Sequence, residues 1–239
     1  MLGCLPKGHI YPKETRGVRD LMRRRGQLVQ NRTTEAQRLT GLCARQTGQD
    51  LSTAKILDAN FATLFNQHTP SILMAEASVR HIEYLNKEIK GLEKTILNDL
   101  PDHDAYHLLQ TVPGIGPVLA RCILLETGPV QRFPCAGCYA SYCRAVPTIH
   151  TSNGKKKGEG NGKCGNKYLA WAFVEAANFA VRYSPEINAW FQRKHARSRG
   201  LRVVAVKALA NKLAKACYFI LRDRKPFGLA RLLGGTGAK

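Results

Sequence analysis

The chain has 239 residues, of which 44% are hydrophobic, enough to bury the core of one or two domains. Lys and Arg number 37 against 17 Asp and Glu, so the formal net charge is +20. No stretch approaches the roughly 18 apolar residues of a membrane span, and the first residues lack the apolar core of a signal peptide. We therefore expect a cytoplasmic protein without membrane contact, and the excess of positive charge favours nucleic acid as its partner.

The first element in chain order is a long basic helix over residues 13–47, which carries nine Lys or Arg and three Asp or Glu. A second long helix begins at Thr69-Pro70-Ser71, because proline suits the first turn of a helix, where its missing N–H is not needed. Apolar residues recur along it every three or four positions, as in a coiled-coil seam. These residues are Ile72, Ala75, Val79, Ile82, Leu85, Ile89, Leu92 and Ile96. The two helices are expected to pack antiparallel or to pair with another chain.

Leu100-Pro101-Asp102 ends this region, so we predict a linker and coiled-coil-like arm over 1–100. A compact domain is predicted over 101–226 and a flexible tail over 227–239. The predicted elements of the compact domain are a short helix around 139–144, a lysine–glycine loop over 151–165, a helix over 166–183, a helix opened by Ser184-Pro185, and a last helix after Gly200. The helix over 166–183 is expected to bury Leu169, Ala172, Phe173, Ala176 and Phe179. The predicted apolar stripe of the last helix is Leu201, Val204, Ala205, Ala208, Leu209, Leu213, Ala216 and Ile220. No alternation of apolar and polar residues indicates a strand, so the predicted fold class is mainly α.

Residues 111–120, TVPGIGPVLA, match a helix-hairpin-helix, an apolar–Gly–apolar–Gly turn between two helices. Gly114 and Gly116 are expected to let the backbone turn tightly and approach a phosphate. The N–H groups that open the next helix would then face that anion. Ile115 is expected to bury between the helices, and Ala120 to let them come close. The alternative is an ordinary glycine-containing turn.

A strongly basic segment spans residues 193–225, with eleven Lys or Arg against Asp223 alone. Basic residues opposite an apolar stripe are often only a solvated face. Here the imbalance favours a surface that lies along a polyanion. The residues chosen as DNA-binding candidates are Arg193, Lys194, Arg197, Arg199 and Arg202.

The stretch SNGKKKGEGNGKCGNK places Ser152 beside a glycine-rich, basic segment. It is not a P-loop, because Gly162-Lys163 is followed by Cys164. A serine hydroxyl attacks phosphorus only when its proton is taken and the developing charge is stabilised. His150 is two residues away, and the candidate phosphate-binding lysines are Lys155, Lys156, Lys157, Lys163 and Lys167. Composition alone favours a loop that contacts phosphate over a catalytic serine.

The run from Leu108 to Arg224 resembles the C-terminal domain of DEDD-type insertion-sequence transposases, which are related to pilin-gene DNA invertases and RNA-guided bridge recombinases. Four stretches carry the resemblance: VPGIGPVLA, RFPCAGCYASYCRAVPT, SNGKKKGEGN with CGNKYLAWAF, and the basic final helices. Residues 9–47 are similar to the arginine-rich helix that begins the coiled-coil linker of that family.

This resemblance implies DNA transposition or site-specific recombination, with Ser152 as the nucleophile for strand cleavage and joining. It also implies DNA as partner, a structured guide RNA in some members, and a homo-oligomer or an assembly with full-length transposase. In the family, an N-terminal RuvC-like domain binds Mg²⁺ through four acidic residues. No such carboxylates can be mapped here, so no cofactor is expected in this chain, and as a truncated chain it is expected to be inactive alone.

Two further possibilities follow from the residues. Cys135-Ala-Gly-Cys138 is a half-site for zinc, but no second half with matching spacing follows, so we predict no metal site. The alternative function is a non-catalytic helical protein that coats nucleic acid or modulates full-length transposase. An RNA-binding, ribosome-associated protein is disfavoured by the hairpin and by the serine segment.

Overall fold

The computed structural model describes residues 10–147, 149–159 and 164–233 and confirms a mainly α fold. The chain divides into two compact units, one over Arg16–Asp99 and the other over the described parts of 1–15 and 100–239. The helices of the first region are α1 (Lys13–Thr47), α2 (Thr53–Leu57), α3 (Phe61–Leu64) and α4 (Thr69–Asn98). None of the helices described is both long and apolar enough to cross a lipid bilayer.

In the first unit the two long helices run antiparallel, which is one of the two arrangements predicted for them. Arg25 Nη2 lies 2.7 Å from Glu93 Oε1, and Arg32 Nη1 donates to Asn86 Oδ1 at 2.9 Å. Arg32 follows Arg25 along α1, whereas its partner Asn86 precedes Glu93 along α4. The two helices therefore run in opposite directions. The predicted apolar stripe is confirmed, since five of its members are buried: Ala75, Ile82, Leu85, Ile89 and Ile96.

The second unit contains the remaining elements, whose bounds are as follows. They are α5 (His103–Gln110), α6 (Pro117–Thr127), a 3₁₀ helix (Val130–Arg132), α7 (Ala136–Tyr142), β1 (Ile149–Ser152), β2 (Lys155–Glu159), α8 (Lys167–Tyr183), α9 (Pro185–Arg197), α10 (Arg202–Asp223) and α11 (Leu229–Leu233). Ser184 caps α9 as predicted, because its Oγ accepts from the N–H of Ile187. Tyr11 also belongs to this unit and donates its hydroxyl to the carbonyl of Leu125.

The lysine–glycine loop predicted over 151–165 is in fact an antiparallel β hairpin in its first half. β1 pairs with β2 so that Ser152 lies opposite Lys155, with a bulge between His150 and Thr151. The two turn residues, Asn153 and Gly154, have φ values of 51° and 70°. Such angles suit the tight turn that joins hairpin strands, and Asn-Gly is its strongest sequence signal. The β hairpin was not predicted because its strands are mainly polar and therefore show no alternation of apolar and polar residues.

Helix α10 is buried over a wider surface than the sequence predicted. It contacts α5, α7, α8 and α9, and Ala210, Ala214 and Leu221 are buried in addition to the predicted stripe. Two predicted stripe residues at its start, Leu201 and Val204, are exposed instead. Burial of several sides of one helix blurs the periodicity that a single buried face would produce.

Within the segment predicted as a flexible tail, 227–239, the described residues include a short helix over Leu229–Leu233. Leu232 is buried, and its carbonyl accepts a hydrogen bond from Lys212 Nζ at 2.8 Å. The N–H of Phe227 donates to Thr111 Oγ1 at 2.9 Å. These contacts return the chain across α10 toward the turn that follows α5.

Candidate nucleic-acid interface

The helix-hairpin-helix prediction agrees with the local geometry. Asp102 caps α5 by accepting from the N–H of Ala105, and α6 begins at Pro117 after Gly116 as its N-cap. Ile115 and Ala120 are buried, as expected for the residues that join the two helices. The opening turn of α6 therefore lies next to an exposed glycine, where backbone N–H groups can meet an anion.

The two glycines of this turn have different surroundings. Gly114 has a φ of +87°, and an added Cβ would lie 2.3 Å from the carbonyl oxygen of Ala176 and 2.5 Å from the nitrogen of Ala180. Its missing side chain thus admits the backbone of α8. A Cβ on Gly116 would meet no atom within 4 Å, so Gly116 is the open position of the turn.

A cleft beside the turn contains an aromatic pair that was not predicted, although its two members lie four residues apart on α8. The cleft encloses about 530 Å³ and is lined by residues 110–119 together with Phe179 and Tyr183. The two rings are stacked, with centroids 6.2 Å apart and planes 11° apart, and Tyr183 is 67% exposed. Phe179 was predicted to be buried and is only half-buried. Exposed aromatic faces near cations are typical of sites that stack nucleic-acid bases.

Ser152 is exposed at the end of β1, directly before the Asn153-Gly154 turn. Residues paired across an antiparallel ladder point to the same face, so Ser152 and Lys155 share one face of the hairpin. Thr151, one residue earlier, points to the opposite face. A hydroxyl and an ammonium group are thereby presented together to solvent.

The five predicted lysines differ in what the structure describes. Lys155, Lys157 and Lys167 are exposed, and the Lys167 ammonium lies 5.2 Å from the ring centroid of Tyr168. Lys156 lies on β2, but its side chain is outside the described part, and Lys163 lies outside the described residues altogether. The hairpin and the start of α8 therefore present at least three exposed ammonium groups.

The chain re-enters the unit after the hairpin through Gly165 and Asn166. Gly165 has a φ of +77°, and a Cβ there would lie 2.5 Å from the carbonyl oxygen of Tyr142. The Asn166 side chain caps α8 by accepting from the N–H groups of Tyr168 and Leu169. Its Nδ2 also donates to the buried Glu126 Oε2 at 2.6 Å. The GNKYL stretch is therefore explained by packing and capping.

An Asn166→Asp variant is expected to lose about 2–4 kcal/mol of unfolding free energy at pH 7. The new carboxylate still caps α8, but it cannot donate to Glu126 and instead places a second negative charge beside it. Lowering the pH protonates one of the two carboxyl groups, so part of the loss is regained in acid. Urea unfolding at pH 7 and pH 5 measures both effects. Asn166→Ser, which keeps a capping oxygen without the charge, should not regain stability in acid.

The predicted basic residues of α9 and α10 lie on a solvent-facing surface. Arg193, Arg197 and Arg199 are exposed, and Lys194 is half-buried. The exposed Arg202 donates to Asn178 Oδ1 at 3.2 Å, which ties the start of α10 to α8.

A second basic surface surrounds a cleft of about 430 Å³ between α10 and the returning C-terminal segment. Its cations are Lys212, Lys215, Arg222, Lys225 and Arg231, and Phe219 and Phe227 also line it. Asp223 is the single carboxylate among the described residues that line it, and the adjacent Arg222 guanidinium lowers the pKa of that group. The sequence indicated the cations of α10. It did not indicate Arg231, because that residue is placed by α11 in the predicted tail.

The described residues contain no group of three or more His, Cys, Asp or Glu side chains that could hold a metal ion. Asp102, for example, is occupied as the cap of α5, and its carboxylate pairs with Arg224 at 2.5 Å. The described part of the chain therefore does not fit a Mg²⁺ site of the kind that the family resemblance implies for another domain.

Comparison with known proteins finds similarity to transposases, and the family match lies in the second unit. Residues 106–192 match the transposase family described as IS116/IS110/IS902. A transposase for insertion sequence element IS1328 from Yersinia enterocolitica is 26% identical over 149 residues, covering 59% of this chain and 43% of the relative. A probable family 20 transposase from Pseudomonas aeruginosa is 27% identical over 228 residues, covering 89% of this chain and 65% of the relative.

A transposase for element IS1111A from Coxiella burnetii is 24% identical over 231 residues, covering 90% of this chain and 61% of the relative. The chain thus spans between about two fifths and two thirds of the length of these three relatives. The family match includes the turn between α5 and α6, Ser152 and helix α8. Over the matched region this chain is therefore similar to insertion-sequence transposases of the IS116/IS110/IS902 type.

Proposed function

We propose that this chain is the DNA-acting part of an insertion-sequence transposase and that Ser152 is its nucleophile. The observation that carries the proposal is the position of Ser152, exposed on a lysine-bearing hairpin inside the segment that matches the transposase family. The reaction is the cleavage and joining of DNA strands through a serine–phosphate bond.

In the proposed reaction the Ser152 Oγ gives up its proton and bonds to a DNA phosphorus, while the bond to one deoxyribose oxygen breaks. Negative charge grows on the phosphoryl oxygens during this step. The Lys155 ammonium shares a face of the hairpin with Ser152, so it can approach and stabilise that charge. Attack by a free deoxyribose hydroxyl on the same phosphorus would release the serine and join the strands.

We assign DNA binding to the turn between α5 and α6 and to the basic helices. Gly116 and the first turn of α6 would contact a backbone phosphate, and such contacts position DNA without reading its sequence. Arg193, Lys194 and Arg197 on α9 would add further phosphate contacts. The stacked Phe179 and Tyr183 lie next to the turn and could receive an unstacked base.

Mg²⁺-binding carboxylates are expected from a RuvC-like domain, and no step is assigned to a metal within this chain. A structured guide RNA and assembly into an oligomer remain predictions of the family resemblance. Each can be tested separately from the serine chemistry.

The proposal is tested by trapping a covalent protein–DNA adduct. The chain is mixed with a RuvC-like domain from a relative, Mg²⁺ and a nicked substrate from which the cleaved strand can diffuse. After nuclease and trypsin digestion, mass spectrometry is expected to find a nucleotide on the peptide Ala145–Lys155, at its single serine. An adduct on Thr151 or on another peptide would contradict the assignment of Ser152.

The alternative is a non-catalytic nucleic-acid-binding protein. It is favoured by the basic cleft of α10, which combines cations with the exposed Phe219, and by the aromatic pair beside the turn. It predicts salt-sensitive DNA binding with no adduct under any of these conditions. Positive results for a full-length relative in the same assay would exclude a failure of the substrate.

The basic helices are expected to determine the salt dependence of DNA binding. Replacing Arg193, Lys194 and Arg197 together by Gln should reduce the slope of log K against log salt by about 2 to 3, because up to three phosphate contacts are lost. Fluorescence anisotropy with a duplex at several salt concentrations measures the slope. The control removes the same charge from α4 by replacing its exposed residues Lys87, Lys90 and Lys94. Equal effects of both variants would mean that net charge alone controls binding.

A further inference from the structure

Two thiols that the proposed reaction does not use lie side by side at the surface. Cys135 and Cys138 are both exposed, and their sulfur atoms are 3.4 Å apart. Cys135 is the N-cap of α7, and its Sγ accepts from the N–H of Cys138 at 3.4 Å. The backbone N–H of Cys138 therefore keeps the Cys135 sulfur close to the Cys138 sulfur. Gly137 carries no side chain beside Cys135 Sγ, which leaves that sulfur open to a reagent.

The two thiols have different environments. The Cys138 N–H is the main cause that lowers the pKa of Cys135, and the Lys215 ammonium lowers it further. The pKa of Cys138 is raised, chiefly by its hydrogen bond with Cys135. The Cys135 sulfur is thus suited to attack a disulfide first and the Cys138 sulfur to react second, because the thiolate is the nucleophilic form of cysteine.

Other cysteines of the chain provide a contrast. Cys43, Cys122, Cys143 and Cys217 are buried. Burial raises the pKa of Cys143 and of Cys217 well above the ordinary cysteine range, which makes both inert. Cys164 is exposed but lies on the segment after the β hairpin, away from α7 in the chain. It serves as an internal reference for an accessible thiol.

We propose that Cys135 and Cys138 form a modification site that reacts with low-molecular-weight disulfides, such as glutathione disulfide, and closes to an intramolecular disulfide. This site does not depend on Ser152 or on DNA. Lys215, which lies near Cys135, also lines the basic cleft of α10, so the modification would occur at the edge of that cleft.

The reaction proceeds by two thiol–disulfide exchanges. The Cys135 thiolate attacks one sulfur of glutathione disulfide, forms a mixed disulfide and releases one glutathione thiolate. Cys138 then loses its proton to solvent, its sulfur attacks the Cys135 sulfur, and the second glutathione leaves as a thiolate. The two cysteine thiols are oxidised to one disulfide, and one glutathione disulfide is reduced to two glutathione molecules.

The test treats the full reduced chain with glutathione disulfide, quenches with acid and alkylates the remaining thiols after denaturation. The tryptic peptide Phe133–Arg144 contains Cys135, Cys138 and Cys143 and is read by fragmentation. We expect the wild type to lose two alkylatable thiols from this peptide, with Cys143 still alkylated and no glutathione retained. Cys138→Ser should instead retain one glutathione on Cys135, because no second thiol expels it.

Cys135→Ser provides the converse variant, and serine is itself a favourable N-cap, so the fold of α7 is kept. In this variant Cys138 should take up glutathione more slowly than Cys135 does in Cys138→Ser. The proposal is overturned if the wild type retains glutathione on Cys135 without closing. It is also overturned if Cys135 reacts no faster than Cys164 in the same sample.

Discussion

A Ser152→Ala variant is expected to lose strand exchange by at least about 10³-fold while its affinity for DNA stays the same. The substitution removes only the oxygen that would bond to phosphorus. Because Ser152 is exposed on a hairpin, the loss of its hydroxyl should change the unfolding free energy by less than about 0.5 kcal/mol. The measurement is strand exchange with a relative's RuvC-like domain supplied in trans, together with anisotropy for DNA binding.

Thr151→Ala is the matched control for this prediction. Thr151 is the neighbouring hydroxyl residue on the same strand, is also exposed, and points to the other face of the hairpin. It should keep strand exchange near the wild-type rate. If both variants lose activity equally, the hairpin is needed for binding and the role of Ser152 as nucleophile is wrong. Retained exchange in Ser152→Ala would have the same consequence.

The helical part of the fold could be predicted because local chemistry determines where these helices begin and end. Proline suits the first turn of α4, where its missing N–H is not needed. The Asn166 cap of α8 and the Ser184 cap of α9 accept from backbone N–H groups within three residues. Burial on α10 was less predictable, because it depends on distant helices that pack around it, among them α5, α7, α8 and α9. The short helix α11 depends on the same distant contacts.

The sequence predicted which residues belong to the candidate site better than it predicted how they are arranged. Ser152 and its lysines were found from residue type and resemblance, but their strand pairing follows from Asn153-Gly154, a signal that apolar patterning ignores. Phe179 and Tyr183 lie four residues apart on α8, a spacing that places their rings together and that the sequence contains, whereas the cleft around Phe219 arises from tertiary packing and leaves no pattern in the sequence. The distance between the Cys135 and Cys138 sulfurs likewise depends on how the cap of α7 is formed.

A Gly114→Ala variant is expected to lose about 3–5 kcal/mol of unfolding free energy and to melt roughly 10 °C lower than the wild type. Alanine at a φ of +87° is strained, and the added carbon would lie 2.3 Å and 2.5 Å from backbone atoms of α8. Backbone atoms of a buried helix cannot rotate away as a side chain can, so α5, the turn and α8 would have to separate. Thermal unfolding followed by circular dichroism measures the effect.

Gly116→Ala adds the same methyl group two residues later and separates packing from phosphate binding. Gly116 has a φ of −84° and open space around it, so the variant should unfold within about 0.5 kcal/mol of the wild type. If a phosphate approaches this turn, the methyl group should weaken DNA binding even though the fold is unchanged. Equal stability of the two variants would contradict the close contact between Gly114 and α8. Unchanged DNA affinity in Gly116→Ala would instead mean that no phosphate approaches the turn. The first N–H groups of α6 would then face only solvent, and the turn would not belong to the proposed interface.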